Sequence, residues 1–344
     1  MELLLDRGAD INSEGKGAKD RKPKTALQMA AERRHTDVVK LLLERGADIN
    51  MTRPLVKIVH RHNEAVVILL VETGVDIARR GYCERTLLHE AAMLGHTDLV
   101  KVLLARGVDI EARDDGGKTP LDLAVWKGSE AVAMLLIHNG SDVGSVNESG
   151  RTLLHRVAKN GLGEIVKLLL QKGADMEAID SRGHTALDLA VEKGREAVVI
   201  QLVEKGSNIG RVDESGKTLL HRAARRGLKE LVNVLLLKGD IGVEAKDNDG
   251  LTALDLAVKG NHEAVAILLV EKGSDIGRVD ESGRTLLHIA VQGGLIEVLK
   301  LLLERGINMG AKNRDGLTAL DLAKKCMNRD MIKLLREKAK AGRG

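Results

Sequence analysis

One spacing constrains this chain of 344 residues more than any other feature. A threonine followed two places on by Leu, and three places on by His or Asp, stands at Thr86, Thr119, Thr152, Thr185, Thr218, Thr252, Thr285 and Thr318. Every step is 33 residues except the 34 between Thr218 and Thr252, and weaker copies begin at Thr25 and Arg53. The stretch Thr152–Met176, TLLHRVAKNGLGEIVKLLLQKGADM, is representative. Thr152 suits a helix N-cap; Leu153, Leu154, Val157 and Ala158 follow at helical spacing; Gly161 suits a left-handed helix end. A second helix is expected through Ile165, Val166, Leu168, Leu169 and Leu170, closed by Gly173. Two helices this short are marginal alone in water. They gain stability only by stacking on copies of themselves.

The pattern T-x-L-H/D-x-A/V, then G-x-x-E-x-V-x-x-L-L, a glycine, and D-x-x-G before the next Thr resembles the ankyrin repeat, over nearly the whole chain. The resemblance implies an all-α repeat solenoid of stacked helix-turn-helix repeats with β-hairpin loops. About ten repeats are expected over 25–344. The loops DDGGKT, NESGRT, DSRGHT, DESGKT, DNDGLT, DESGRT and NRDGLT fit tight turns, with Asn or Asp opening each and Gly in fourth place.

Composition agrees. The chain has no Phe, one Trp and one Tyr, too few aromatics for the core of a compact globule this long but enough for a thin stack filled by Leu, Val, Ile and Ala. Closely mixed charges, 54 basic against 50 acidic, give a net +4 and argue against a nucleic-acid footprint. No apolar run approaches the roughly 20 residues of a membrane span; Ala65–Val71 is among the longest. MELLLDRGAD lacks signal-peptide character. Cys83 and Cys326 fall in distant repeats and are not expected to pair. The chain is expected in the cytoplasm, with the nucleus as the alternative, and as a monomer without cofactor.

Irregularities concentrate early. Residues 1–12 match Lys40–Asn50 and are expected to form only the second helix of a truncated repeat, as in a fragment of a longer array. Residues 13–24, with the run SEGKGAKDRKPK, read as a basic, solvated insertion loop. The unit at 53–80 is degenerate: its step from Thr25 is only 28 residues, Arg53 replaces Thr, and Val56 replaces His. His60 and His62 lie there without a third ligand at metal spacing, so a bend or weak seam is expected rather than a metal site. The extra residue near Asp240–Val243 suggests a bulge, and 318–344 a polar C-terminal cap with a frayed basic tail.

From Thr86 onward a 66-residue period overlies the shorter one. His89, His155, His221 and His288 alternate with Asp122, Asp188, Asp255 and Asp321. The alternation reads as duplication of repeat pairs, with the His bonded to its Thr and nearby backbone and the Asp capping its helix. No phosphate loop, nucleophile elbow or zinc-spaced Cys pair is present, so no enzyme is expected.

In ankyrin proteins partners usually dock on the concave face, built from hairpin tips and the exposed side of the first helices. By this resemblance, contact positions lie one, three, four and six residues before each Thr and seven and eight after it. Most carry charge or small polar groups, such as Lys159, Asn160, Glu192, Lys193, Arg225 and Arg226. The Thr86 and Thr119 repeats differ, placing Tyr82, Cys83, Arg85, Met93, Leu94, Lys118, Trp126 and Lys127 there. Aromatic anchors rimmed by Met and Arg have the composition of a protein-binding hot spot. The expected function is a non-catalytic interaction scaffold for a partner protein. The alternatives are a recognition fragment of a larger signalling or enzymatic protein, and an electrostatic binder of an anionic partner through Arg225, Arg226 and the basic tails.

Overall fold

A computed structural model describes residues 8–15, 23–49, 64–238, 241–280 and 282–341. Nineteen α-helices lie among them, with no strand longer than an isolated bridge. Residues 1–7 of the truncated repeat expected at 1–12, most of the insertion at 13–24, the first half of the degenerate repeat with His60 and His62, and Asp240 of the bulge expected at Asp240–Val243 lie outside the described residues. Two compact units, 1–174 and 175–344, divide the chain.

Within each unit the elements alternate as the period demands. Leu87–Leu94 pairs with Thr97–Ala105, Pro120–Lys127 with Glu130–His138, and Leu153–Asn160 with Gly163–Gln171. In the second unit Ala186–Glu192, Leu219–Arg226, Ala253–Lys259, Leu286–Gly293 and Ala319–Lys325 are each followed by a second helix. Within each unit, described first helices pack on their own second helix and on the first helix of the next described repeat. Leu153, Leu154, Val157, Ala158, Ile165, Val166 and Leu169 are buried, while Leu168 and Leu170 are half-buried on the flank. Each fully buried Leu or Val removes apolar surface worth about 1.5–3 kcal/mol from water. This burial, not helix propensity, holds elements of seven to ten residues.

Each first helix begins at the register Thr. In the Thr86, Thr119, Thr185, Thr218, Thr252 and Thr318 repeats the hydroxyl accepts from the backbone N–H three residues on, and the His or Asp side chain there accepts from the Thr N–H. Gly161 (φ 83°) and Gly173 (φ 82°) close the two helices of the Thr152 repeat in left-handed backbone. The same place after the first helix of three repeats holds Arg34, Asn261 and Met327, all at positive φ.

The loops between repeats are tight five-residue reversals. Asp213 N–H donates to the Lys217 carbonyl at 3.1 Å, and its Oδ1 accepts from the Ser215 and Lys217 amides at 2.9 Å each. Asp114, Asn147, Asp180, Asp247 and Asp280 do the same. The last helix also differs: Arg329–Ala341 runs thirteen residues, so the basic segment expected to fray continues the helix, with Lys338 and Lys340 at its negative end.

The 66-residue period has a structural cause: the two kinds of repeat make different joints. In the His repeats the imidazole reaches across to the next loop. His89 Nδ1 accepts from the Thr86 N–H at 3.2 Å, which leaves the proton on Nε2 to donate to the Lys118 carbonyl at 2.9 Å. His221 and His288 reach the Leu251 and Leu317 carbonyls in the same way. Aspartate is too short for that span, so the following repeat reaches back to it. Arg156 pairs with Asp122, and Arg222 Nη1 lies 2.6 Å from Asp188 Oδ1. A glutamate opening the second helix of the Asp repeats adds a further tie. Glu130 accepts from the Glu164 amide at 2.9 Å, Glu196 from Leu231 at 2.9 Å, and Glu263 from Glu297 at 2.7 Å. Each thereby caps the next repeat's second helix.

Candidate protein-binding surface

Trp126 is the seventh residue after Thr119 and ends the exposed side of helix Pro120–Lys127. Its neighbours Ala124 and Val125 are buried, which turns the indole outward at 60 % exposure. Lys127 Nζ lies 4.6 Å and Lys118 Nζ 5.8 Å from the ring centroid, so two ammonium groups flank one aromatic face system. Tyr82, 71 % exposed, sits in the short 3-10 turn Tyr82–Glu84, where Cys83 and Glu84 both take positive φ. This loop lacks the Asp and Gly of its siblings. It keeps their backbone bond, Gly81 N–H to the Arg85 carbonyl at 2.7 Å, and in place of the Asp side chain has Arg80 Nη1 donating to the Glu84 and Arg113 carbonyls at 3.0 Å each.

Other residues of the sequence-derived set lie beneath these anchors. Arg85 is half-buried, its Nε 3.4 Å from Asp114 Oδ2 and its Nη1 3.7 Å from the buried Glu90. The same Nη1 lies 3.5 Å from Met93 Sδ. Met93 and Leu94 are half-buried; Lys118, Lys127 and Cys83 are exposed. A chain of contacts thus connects Met93, Arg85 and Asp114 to the loop of Lys118 and on to Trp126. Burial pushes the Asp114 carboxyl up, but the Lys118 amide, Arg85 and the Gly116 amide outweigh it and hold it below its ordinary value. Burial lowers His89, against the opposing pull of the Lys118 carbonyl. Beside this loop a groove of about 380 Å³ opens among Ile77, Arg80, Leu87, Arg106 and Val108.

Sequence reasoning missed a second set. Val146, Ile179, Val212 and Val279 are exposed at 58–61 %, all six residues before a register Thr. The 33-residue register, applied to apolar residues rather than to aromatics alone, would have found them. It also passed over Arg156, Arg222 and the capping glutamates, whose signal is recurrence every 66 residues.

No group of three or more His, Cys, Asp or Glu side chains is placed to hold a metal among the described residues. None of the described helices is long and apolar enough to cross a membrane. Comparison with curated proteins returned no match to the chain. Family models described as ankyrin repeats in three copies match residues 55–147, 134–213, 198–280 and 269–342. A model of the single ankyrin repeat matches 24–53. Proteins of this kind are generally protein–protein interaction modules and typically non-catalytic. Matched across nearly its whole length and built from the capped helix pairs described above, the chain belongs to the ankyrin repeat family.

Proposed function

We propose that this chain is a non-catalytic scaffold that binds a partner protein through the loop and helix ends of its Thr86 and Thr119 repeats. The observation that carries the reading is Trp126. A chain almost free of aromatics spends its one indole on the surface, between Lys118 and Lys127. An exposed Trp contributes little to folding and much to a desolvated contact. Tyr82 supplies a second anchor, and Cys83, Met93, Leu94 and Arg85 the surround. Arg85, held by Asp114 and Glu90, positions the Met93 thioether rather than offering a free charge.

The test is an affinity capture with mass spectrometry, run in parallel on wild type and the Tyr82→Ala/Trp126→Ala variant. Partners lost only from the variant, at unchanged thermal unfolding, support the site. Retention of every specific partner by the variant removes it.

A further inference from the structure

The positive charge of this chain is gathered at one place. Residues 318–344 hold eight Lys and Arg against three Asp and Glu, an excess larger than the +4 of the whole chain. Four of these cations replace the residues by which the other Asp repeats of the second unit join their successors. Val191 and Val258, six places after the register Thr, are buried. So are Val203 and Val270, eighteen places after it, and Ser207 and Ser274, twenty-two places after it. Eleven places after it, Glu196 and Glu263 accept N–H groups that open the next repeat's second helix. In the Thr318 repeat the same four positions hold Lys324, Arg336, Lys340 and Arg329, all exposed. Two apolar side chains lie open with them. Leu320 and Ile332 are half-buried, where their counterparts Leu254 and Ala266 are buried.

These exchanges set the chemistry that the face accepts. Along helix Arg329–Ala341, Arg329, Lys333, Arg336 and Lys340 follow at i, i+4, i+7 and i+11, one stripe about 16 Å long. Among the described residues Arg329, Arg336 and Lys340 have no ion pair, while Lys324 lies 3.2 Å from Asp321. Asp330 and Glu337 stand about a quarter turn round the helix and bound the stripe on one side; Ile332 bounds it on the other. An arginine in the place of Glu196 or Glu263 accepts no hydrogen bond and repels the positive start of a helix, so it calls for a carboxylate instead. A helix keeps step with the stripe, since its own acidic residues at i, i+4, i+7 and i+11 recur at the same mean spacing of about 5.5 Å. Same-face residues of a strand recur at about 6.8 Å and drift out of step. Nucleic acid fits less well, with Asp321, Asp330 and Glu337 beside the cations and no aromatic in 318–344 on which a base could stack. We propose that this face of the Thr318 repeat binds an acidic amphipathic helix of a partner protein. Its apolar stripe meets Leu320 and Ile332, and its carboxylates meet Arg329, Lys333, Arg336 and Lys340. The face lies in another repeat than Tyr82 and Trp126 and does not depend on them.

A fluorescein-labelled peptide of three Glu-Leu-Ala-Glu-Leu-Leu-Glu heptads tests the face by fluorescence anisotropy with the full chain. A control peptide carries Gln in place of every Glu. The Glu peptide should bind wild type at least about tenfold tighter than the Gln peptide. Arg329→Glu/Arg336→Glu should remove that preference, and the milder Lys333→Ala/Lys340→Ala should reduce it, with folding of each variant checked by thermal unfolding. Ile332→Ala should weaken the Glu peptide, and Tyr82→Ala/Trp126→Ala should leave it unchanged. Equal binding of the two peptides by wild type overturns the proposal, as does a preference that survives the changes at the four cations. Poly-L-glutamate binding as tightly as the Glu peptide would assign the face to charge alone. Random-sequence duplex DNA binding more tightly, and lost in the same variants, would assign it to nucleic acid. Either result overturns the amphipathic helix.

Discussion

Asp188 and Arg222, 34 residues apart, meet at 2.6 Å inside the joint between two repeats. The aspartate Oδ2 also accepts from its own helix N-cap, the Thr185 amide, at 2.9 Å, so one carboxylate serves a cap and a joint. Burial pushes the Asp188 carboxyl up, but the Thr185 amide and Arg222 outweigh it and hold it below its usual range.

The Thr285 repeat shows how this joint can be rebuilt. Ile289 stands where Arg222 would be, and Arg278 reaches Asp255 at 3.2 Å instead. Arg211 is the register counterpart of Arg278. Arg222→Ile should therefore cost about 1–2 kcal/mol, while Arg222→Ile/Arg211→Ala should cost more than the sum of the two single changes. Urea unfolding of the four proteins measures the coupling, and additive costs would show that Arg211 does not stand in.

Acidification should weaken the His89 joint. Burial lowers this imidazole, so the folded state binds fewer protons than the unfolded state between its lowered value and about 6.5. Stability contributed by neutral His89 is present above about 6.5 and lost as pH falls toward the folded value. In His89→Gln the fall in thermal midpoint between about pH 7 and 5 should be smaller than in wild type. An equal fall would assign the pH dependence to other groups.

Met327 occupies the left-handed position at φ 53° where the Thr86, Thr119 and Thr152 repeats use Gly95, Gly128 and Gly161. It is 83 % exposed, so its side chain brings almost no burial in return. Met327→Gly should stabilise the chain by about 1 kcal/mol, since relief of the left-handed strain exceeds the entropy added to the unfolded chain. Chemical denaturation reads this directly; a lower midpoint would contradict it.

Trp126 makes its surface observable without a label. As the sole indole, it dominates the emission, and its exposure predicts ready quenching by acrylamide. Lys118 and Lys127 should concentrate anions around it, so iodide should quench more efficiently than caesium at equal ionic strength. Lys118→Ala/Lys127→Ala should bring the two quenchers closer together. Equal quenching by both ions in wild type would mean that the ammonium groups do not govern access to the ring.

Much of this protein is local and therefore legible in its sequence. Thr152 at a helix start, Gly161 and Gly173 at helix ends, and Asp213 in a turn act through bonds within three or four residues. A fixed period then multiplies each inference, and the apolar spacing names the core. The exposed Tyr82 and Trp126 were legible for the same reason: their register assigned them to the surface. What tertiary structure decided is reach. Whether the residue three after the Thr touches the next repeat depends on side-chain length across a gap, so His89 spans it and Asp188 waits for Arg222. Which loops join by backbone and which through Arg211 or Arg278 likewise depends on distances between residues some thirty apart in sequence. The sequence carries the period of those joints, but only packing shows which atoms close them.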